Sequence, residues 1–390
     1  MRAAIIYPHL IHYAHILFQA MKTSGLEFEV IYMASGSTTR HEEKAKLSRD
    51  LYRYQLAHDG PYQAVASNVR ARFSWKALSR IRPEVVIISG YQHLECWVAW
   101  LWALVHERKI ILWCESNEFD FPRYWIRELP KRLFLSRCDR GHVYGASNKA
   151  YLAKLGMAPE YIESRRAVVD PKFFVTPEQK LYSTGAAKRL IYVGRLAAEK
   201  NLSTLFRALA KTAQTRGGDP GLRLIIAGTG PLDLHLRHEC AQLGVDGIVE
   251  FLGYCPQKDL PSLFRTADFC VLPSTREPWG LVALEAMLSR VPILVSTRCG
   301  CAADLVMPGT GWTFSPWDED ELARLLMQLP EISAGEVARM GSKAQSVASS
   351  YSPEIAAGLV QRLVEDLAAN DSTHLLAAPQ YESAQQKDDG

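Results

Sequence analysis

Glu277-Pro278-Trp279-Gly280-Leu281-Val282-Ala283-Leu284-Glu285-Ala286-Met287 follows an apolar, strand-like run, Asp268-Phe269-Cys270-Val271-Leu272-Pro273-Ser274, and opens a helical pattern that ends near Arg290. A strand passing through a turn into a helix is the unit of an open α/β sheet, where ligands bind outside the carboxyl ends of the strands. Glu277 then sits in the strand-to-helix turn and Glu285 about two turns into the helix. Backbone N–H groups at the helix start, near Gly280 and Leu281, favour an anion. One turn from Glu285 lie Leu281, Val282 and Leu288, so its face is largely apolar. A carboxylate buried there is costly unless it has partners, and the hydroxyl groups of a bound sugar are suitable ones. Taken alone, the same helix also reads as an ordinary amphipathic helix with a solvated glutamate.

The alternation extends through the chain. Strand patterns fall at 3–7, 28–33, 84–89, 110–114, 141–144, 164–169, 189–193, 222–227, 248–251, 268–272 and 292–295, mostly with helical periods between them. This order predicts parallel, doubly wound sheets. The 390 residues, 48% of them hydrophobic, suffice for two cores. The pattern dips between Asp170 and Lys188, where Pro171, Pro177 and Ser183-Thr184-Gly185 punctuate it as a linker. The expected division is 1–175, 185–350, a helix within 351–369 and a disordered polar tail over 370–390.

A net charge of +3 gives no support to a nucleic-acid partner. The eight cysteines are scattered, several within apolar runs, and read as reduced, buried thiols of a cytoplasmic protein. Cys299-Gly300-Cys301 lacks a second pair at metal-ligand spacing, so no metal site is expected. Met1-Arg2 leads directly into Ala3-Ala4-Ile5-Ile6-Tyr7, and no secretory leader is expected. The longest apolar stretch, Cys96 to Val105, is about half of what spans a bilayer and predicts a core helix.

Ser274, Glu277, seven intervening residues and Glu285-Ala286-Met287, followed by Val291-Pro292-Ile293-Leu294-Val295-Ser296, resemble the donor-site signature of the retaining family-four glycosyltransferases. The resemblance covers the second half of the chain closely and the first half loosely. It implies a GT-B fold, two Rossmann-like doubly wound domains facing a cleft, with the last helix crossing back onto the first domain. Two departures stand out: Leu288-Ser289-Arg290 where many relatives have a glycine after Met-Ala, and Gly300-Cys301-Ala302-Ala303-Asp304 where they often have Gly-x-x-Glu.

Leu190-Ile191-Tyr192-Val193 ends at Gly194-Arg195, followed by Glu199-Lys200-Asn201-Leu202 and a helix. Gly194 permits close backbone approach; arginine suits bidentate phosphate binding and lysine adds a point charge. A surface-charged loop gives the same string, but the order resembles the family's diphosphate-binding element. Gly228 in Ile225-Ile226-Ala227-Gly228-Thr229-Gly230-Pro231 resembles a turn lining the donor pocket, and Gly253-Tyr254 the segment whose backbone meets the base. The resemblance implies that Glu285 holds the ribose and Glu277 the donor's sugar hydroxyls. Arg195 and Lys200 neutralise the leaving diphosphate in a same-face mechanism with no carboxylate nucleophile, no metal and no cofactor beyond the nucleotide-sugar co-substrate.

The first half is read less closely. Tyr7-Pro8-His9-Leu10-Ile11-His12 lacks the Gly-Gly pair of many relatives; His9 or His12 touches acceptor or phosphate, or both are packed aromatic positions. After the strand 110–114 comes Glu115-Ser116-Asn117-Glu118-Phe119-Asp120. Either Glu115 or Asp120 orients the acceptor hydroxyl, or Ser116 or Asp120 caps a helix. The basic and apolar stretch 123–135 fits either contact with the inner face of a membrane or a charged helix packed on its own domain. The expected activity is hexosyl transfer from a nucleotide-diphosphate sugar to a glycan or lipid-linked glycan, in surface polysaccharide or glycolipid assembly. The alternatives are a GT-B sugar-nucleotide epimerase and a catalytically silent nucleotide-sugar-binding protein.

Overall fold

The apolar runs become strands of two separate sheets. The computed structural model describes residues 2–38, 51–121, 124–175, 180–183 and 187–369. The first sheet contains β1 (Arg2–His9), β2 (Glu27–Ala34), β3 (Arg53–Leu56), β4 (Val85–Ser89), β5 (Lys109–Cys114), β6 (Arg140–Val143) and β7 (Ile162–Glu163). Its order is β3-β2-β1-β4-β5-β6-β7, with parallel pairing throughout. The second contains β8 (Lys188–Val193), β9 (Leu222–Ala227), β10 (Val249–Gly253), β11 (Phe269–Leu272), β12 (Ile293–Ser296) and β13 (Gly311–Phe314), in the order β10-β9-β8-β11-β12-β13 and again parallel. Strand order reverses between β1 and β4 and between β8 and β11, so each domain opens a crevice at the carboxyl end of its first strand.

Both faces of each sheet are covered, which is why the central strands are apolar without alternation. Ala4, Ile6, Val86, Ile88 and Leu112 pack against one helical layer, and Ala3, Ile5, Val85, Ile87 and Ile111 against the other. The second sheet divides likewise, with Leu190, Tyr192 and Leu224 on one side and Ile191, Cys270 and Ile293 on the other. The helix Pro353–Ala369 lies on the first domain. Its Ala356, Ala357, Val360, Leu363 and Val364 share a core with Ala14, Leu17 and Phe18 of the helix His12–Thr23. The tail 370–390 falls outside the described residues, as do parts of the linker.

Three sequence expectations need correction. Segment 164–169 is not a strand. It follows β6 only through Arg165 N–H to Tyr144 O and Arg166 N–H to Val143 O, and Arg165 takes a left-handed φ of 69° that breaks the pairing. This segment carries the chain between domains: Val168 packs in the first core, Ala167 and Val169 in the second. Strands β3, β7 and β13 are additional. All three are short edge strands, and such strands carry little apolar pattern. The apolar helix Leu94–Val105 is only partly core, because Leu94, Leu101 and Val105 are exposed.

Candidate active site

The turn after β11 is held by backbone contacts to the loop after β12: Gly300 N–H bonds Glu277 O at 3.0 Å, and Cys301 N–H bonds Trp279 O at 2.8 Å. Gly280 starts the helix Leu281–Leu288 at φ 104°, which suits glycine. The Glu277 carboxylate pairs with Lys200 and accepts from Ser274 Oγ at 3.4 Å. Deeper in the same helix Glu285 is only 2% exposed, and its carboxylate accepts the hydroxyl of Tyr13 from the first domain. Burial pushes the Glu285 carboxyl up to about 7, against the opposing pull of the Tyr13 hydrogen bond.

Lys200 reaches Glu277 because the loop after β8 is tied to the loop after β11. Thr275 N–H bonds Glu199 O at 2.9 Å, and Asn201 Nδ2 donates to Pro273 O at 3.1 Å. Arg195 extends outward and pairs with Glu199. Gly194, Gly228 and Gly253 stack at the neighbouring strand ends: Gly194 N–H bonds Ala227 O, and Gly228 N–H bonds Gly253 O at 2.7 Å. A Cβ on Gly228 would stand 1.9 Å from Gly194 O, so the two loops approach backbone to backbone. Tyr254 beside them is half exposed.

The first domain closes on this turn. Asn117, fully buried, donates from Nδ2 to Glu277 O at 3.2 Å and Pro278 O at 3.0 Å. Asp304 accepts Ala146 N–H at 3.0 Å and Trp279 Nε1–H at 3.2 Å. A second-domain carboxylate therefore caps the first-domain helix Ala146–Leu155. Burial raises the Asp304 carboxyl above its ordinary value, although both hydrogen bonds oppose it.

The structure separates Glu115 from Asp120. Glu115 lines a cleft cavity of about 230 Å³ whose opposite wall is Glu277, Pro278, Trp279, Gly280 and Leu281. Its Oε1 accepts Tyr144 Oη–H at 2.7 Å and Arg166 Nη2–H at 3.1 Å. Asp120 is buried, and its Oδ2 accepts Asn117 N–H at 2.8 Å, closing its own loop. It borders a larger cavity of about 640 Å³. His9 rests near Tyr62 and His12 against Tyr13, and neither lines these two cavities.

Sequence reasoning missed Tyr13, Tyr144 and Arg166, all of which line the smaller cavity. Arg166 had a usable signal: an arginine beside the apolar run Ala167-Val168-Val169 must find a partner if the run is buried, and in the structure it is only 4% exposed. Tyr144 follows the carboxyl end of β6, where the crevice rule places ligands. Nothing in the stretch Tyr7–His15 singles out Tyr13 among its aromatic neighbours.

The D-inositol 3-phosphate glycosyltransferase of Corynebacterium glutamicum is 31% identical over 395 aligned positions, covering 92% of this chain and 92% of that one. Residues 178–347 match the family model of the glycosyl transferases group 1. The chain belongs to this family. A Methanocaldococcus jannaschii protein described as an uncharacterized glycosyltransferase is 36% identical over 136 residues, 35% of this chain and 34% of that one. The chain thus spans about a third of that relative's length. Among solved structures, sucrose-phosphate synthase from Thermosynechococcus elongatus superposes with a TM-score of 0.74 at 19% identity, covering 95% of this chain and 99% of that one. Anabaena HepE in complex with UDP-glucose gives 0.70 at 18%, covering 95% and 100%. These likenesses identify the fold of this group 1 glycosyltransferase as GT-B.

Proposed function

We propose that this glycosyltransferase moves a hexosyl group from a nucleotide-diphosphate sugar to a hydroxyl of a glycan or lipid-linked glycan, with retention of configuration and without a metal ion. The observation that carries this is the Lys200–Glu277 pair at the ends of β8 and β11, with Glu285 buried behind it and Glu115 across the cleft. Glu285 takes the ribose hydroxyls and Glu277 those of the donor sugar. The bond from the anomeric carbon to the phosphate oxygen breaks, and the new bond to the acceptor oxygen forms on the same face. The acceptor proton passes to the departing phosphate. Lys200 and Arg195 offset the charge that develops there, and fixed cations aimed at that charge stabilise the transition state selectively. Arg166 and Tyr144 hold Glu115 in position to orient the acceptor hydroxyl. HepE was solved with UDP-glucose, which supports a nucleoside diphosphate donor.

The helix Trp125–Leu135 supports an acceptor presented at a bilayer. Trp125, 72% exposed, stands with exposed Ile126, Leu129 and Leu133 among Arg127 and Arg132. That combination suits peripheral contact with an anionic inner leaflet. Among the described residues no helix is long and apolar enough to cross a membrane. Surface polysaccharide or glycolipid assembly is the corresponding role.

Thermal shift with UDP, GDP and ADP, on wild type and Glu285→Ala, tests the donor site. One nucleotide at about 100 times its dissociation constant is expected to stabilise the wild type by roughly 2.7 kcal/mol, and the variant by much less. No shift with any of the three, or an equal shift in Glu285→Ala, refutes the donor assignment.

A further inference from the structure

We propose that the larger cavity is an acceptor subsite for an anionic glycan, with Arg276 and Arg298 as its carboxylate- or phosphate-binding groups. The proposal rests on the glycosyl-transfer reading above and names its acceptor class. The cavity lies between Glu118, Phe119, Asp120 and Phe121 of the first domain and Ala198, Glu199, Thr275, Arg276 and Arg298 of the second. Glu199 and Arg276 are chain neighbours of Lys200 and Glu277, so it adjoins the reacting centre. Its volume of about 640 Å³ falls within the range usual for small-molecule sites.

The charges around it are unevenly satisfied. Glu118 pairs with Lys154, Glu199 with Arg195, and Asp120 accepts its own loop's N–H. Neither Arg276 nor Arg298 forms an ion pair with a described residue. They follow the adjacent strands β11 and β12, so two cations border one cavity against the single carboxylate of Asp120, which leaves a surplus of positive charge there. A ligand carrying negative charge would remove that imbalance.

Each guanidinium also lies over an aromatic ring. Arg298 Cζ lies 4.1 Å from the Phe119 ring centroid and 5.1 Å from that of Trp317, and Arg276 Cζ lies 4.9 Å from that of Phe121. Among the described residues Arg276 Nη1 reaches only the Asp120 carbonyl, at 3.4 Å, and the buried Arg298 Nε has no hydrogen-bond partner. A cation–π contact uses none of the guanidinium N–H groups, so they stay available to a planar or tetrahedral oxyanion. A clamp between the domains would account for the ring contacts alone; it does not account for the surplus positive charge. Phe119 and Phe121 meanwhile line the cavity with rings against which an apolar sugar face can pack.

The test is calorimetric titration of the full chain, wild type and the double variant Arg276→Gln/Arg298→Gln, with trigalacturonate, glucose 6-phosphate and maltotriose. Wild type is expected to bind one anionic probe at least about tenfold more tightly than maltotriose, the scale of one charge-assisted hydrogen bond. Which probe wins distinguishes carboxylate from phosphate recognition. In the double variant the preference is expected to fall to about one, while nucleotide affinity on the same samples stays within about twofold. Arg298→Lys is expected to keep part of the preference by keeping the charge. Equal or tighter binding of maltotriose, no binding of any probe, or a preference that survives the double substitution overturns the proposal. So does loss of nucleotide binding in the double variant, which would put the arginines in the donor site. A wild type that binds no nucleotide sinks the donor assignment instead, because the glycan comparison is read without nucleotide.

Discussion

Replacing Glu285 by glutamine is expected to stabilise the ligand-free protein at alkaline pH while weakening nucleotide binding. Glu285 is 2% exposed, and its only side-chain hydrogen bond among the described residues comes from Tyr13. Burial moves its carboxyl from 4.5 to about 7. At roughly 1.4 kcal/mol per pH unit, that displacement corresponds to about 3 kcal/mol. The folded state holds this proton more tightly than the unfolded chain does. The favourable contribution is therefore complete below about pH 4.5, fades as pH rises to about 7, and is absent above. Glutamine removes the charged form but leaves an amide N–H₂ to satisfy, which offsets about 1 kcal/mol. The net gain near pH 8 is about 2 kcal/mol, or roughly 4–8 °C in Tm for a domain of this size. Scanning fluorimetry of both proteins from about pH 5 to pH 8.5 reads it directly. An equal or lower Tm for Glu285→Gln at pH 8, or a difference that does not change with pH, would refute the reasoning. Ribose hydroxyls donating to the carboxylate favour its charged form. Nucleotide binding by the wild type near pH 6.5 should therefore release protons, measurable by calorimetry in two buffers, and the variant should release fewer, only those of the nucleotide's own terminal phosphate.

Three further outcomes are expected. Lys200→Ala should lower kcat by roughly 100-fold, the scale of one lost transition-state contact; full turnover would remove Lys200 from the leaving-group site. Asp304→Ala should leave Ala146 N–H and the Trp279 indole without their partner, at about 1–2 kcal/mol for the lost cap. Because that cap joins the domains, limited proteolysis at the seam should accelerate; an unchanged digestion rate with unchanged donor affinity would show that the cap does not control closure. Trp125→Ser/Leu129→Ser should abolish co-sedimentation with vesicles containing anionic lipid and spare nucleotide binding, whereas retained sedimentation would exclude this helix as the contact.

The legible part of the fold was the part with redundant signal. Val85–Ser89 and Phe269–Leu272 are buried on both faces, so an unbroken apolar run had one sensible interpretation. The edge strand Arg53–Leu56 has exposed or half-exposed residues throughout, and its pairing with β2 comes from position rather than composition. Segment 164–169 was misleading for the opposite reason. Its Ala167, Val168 and Val169 are as buried as a strand core, but they divide between two domains instead of joining one ladder.

The same contrast separates the two halves of the cleft. Glu277 and Glu285 share one strand–turn–helix unit, and Lys200 follows a strand end by a few residues, so local order alone marks them. Tyr13, Tyr144 and Arg166 come from three distant stretches that meet only once the sheet is wound. The interdomain seam was harder still to read, because much of it is side chain to backbone. Asn117 and Ser147 of the first domain donate to Glu277 O, Pro278 O and Gly300 O of the second, and Asn148 spans its own Glu115 O and Pro278 O. Carbonyl acceptors leave no trace in residue type. This arrangement also has a chemical consequence. The loop after β11 is gripped largely by its main chain, so the carboxylate of Glu277 and the ammonium of Lys200 remain available to exchange their mutual contact for a ligand.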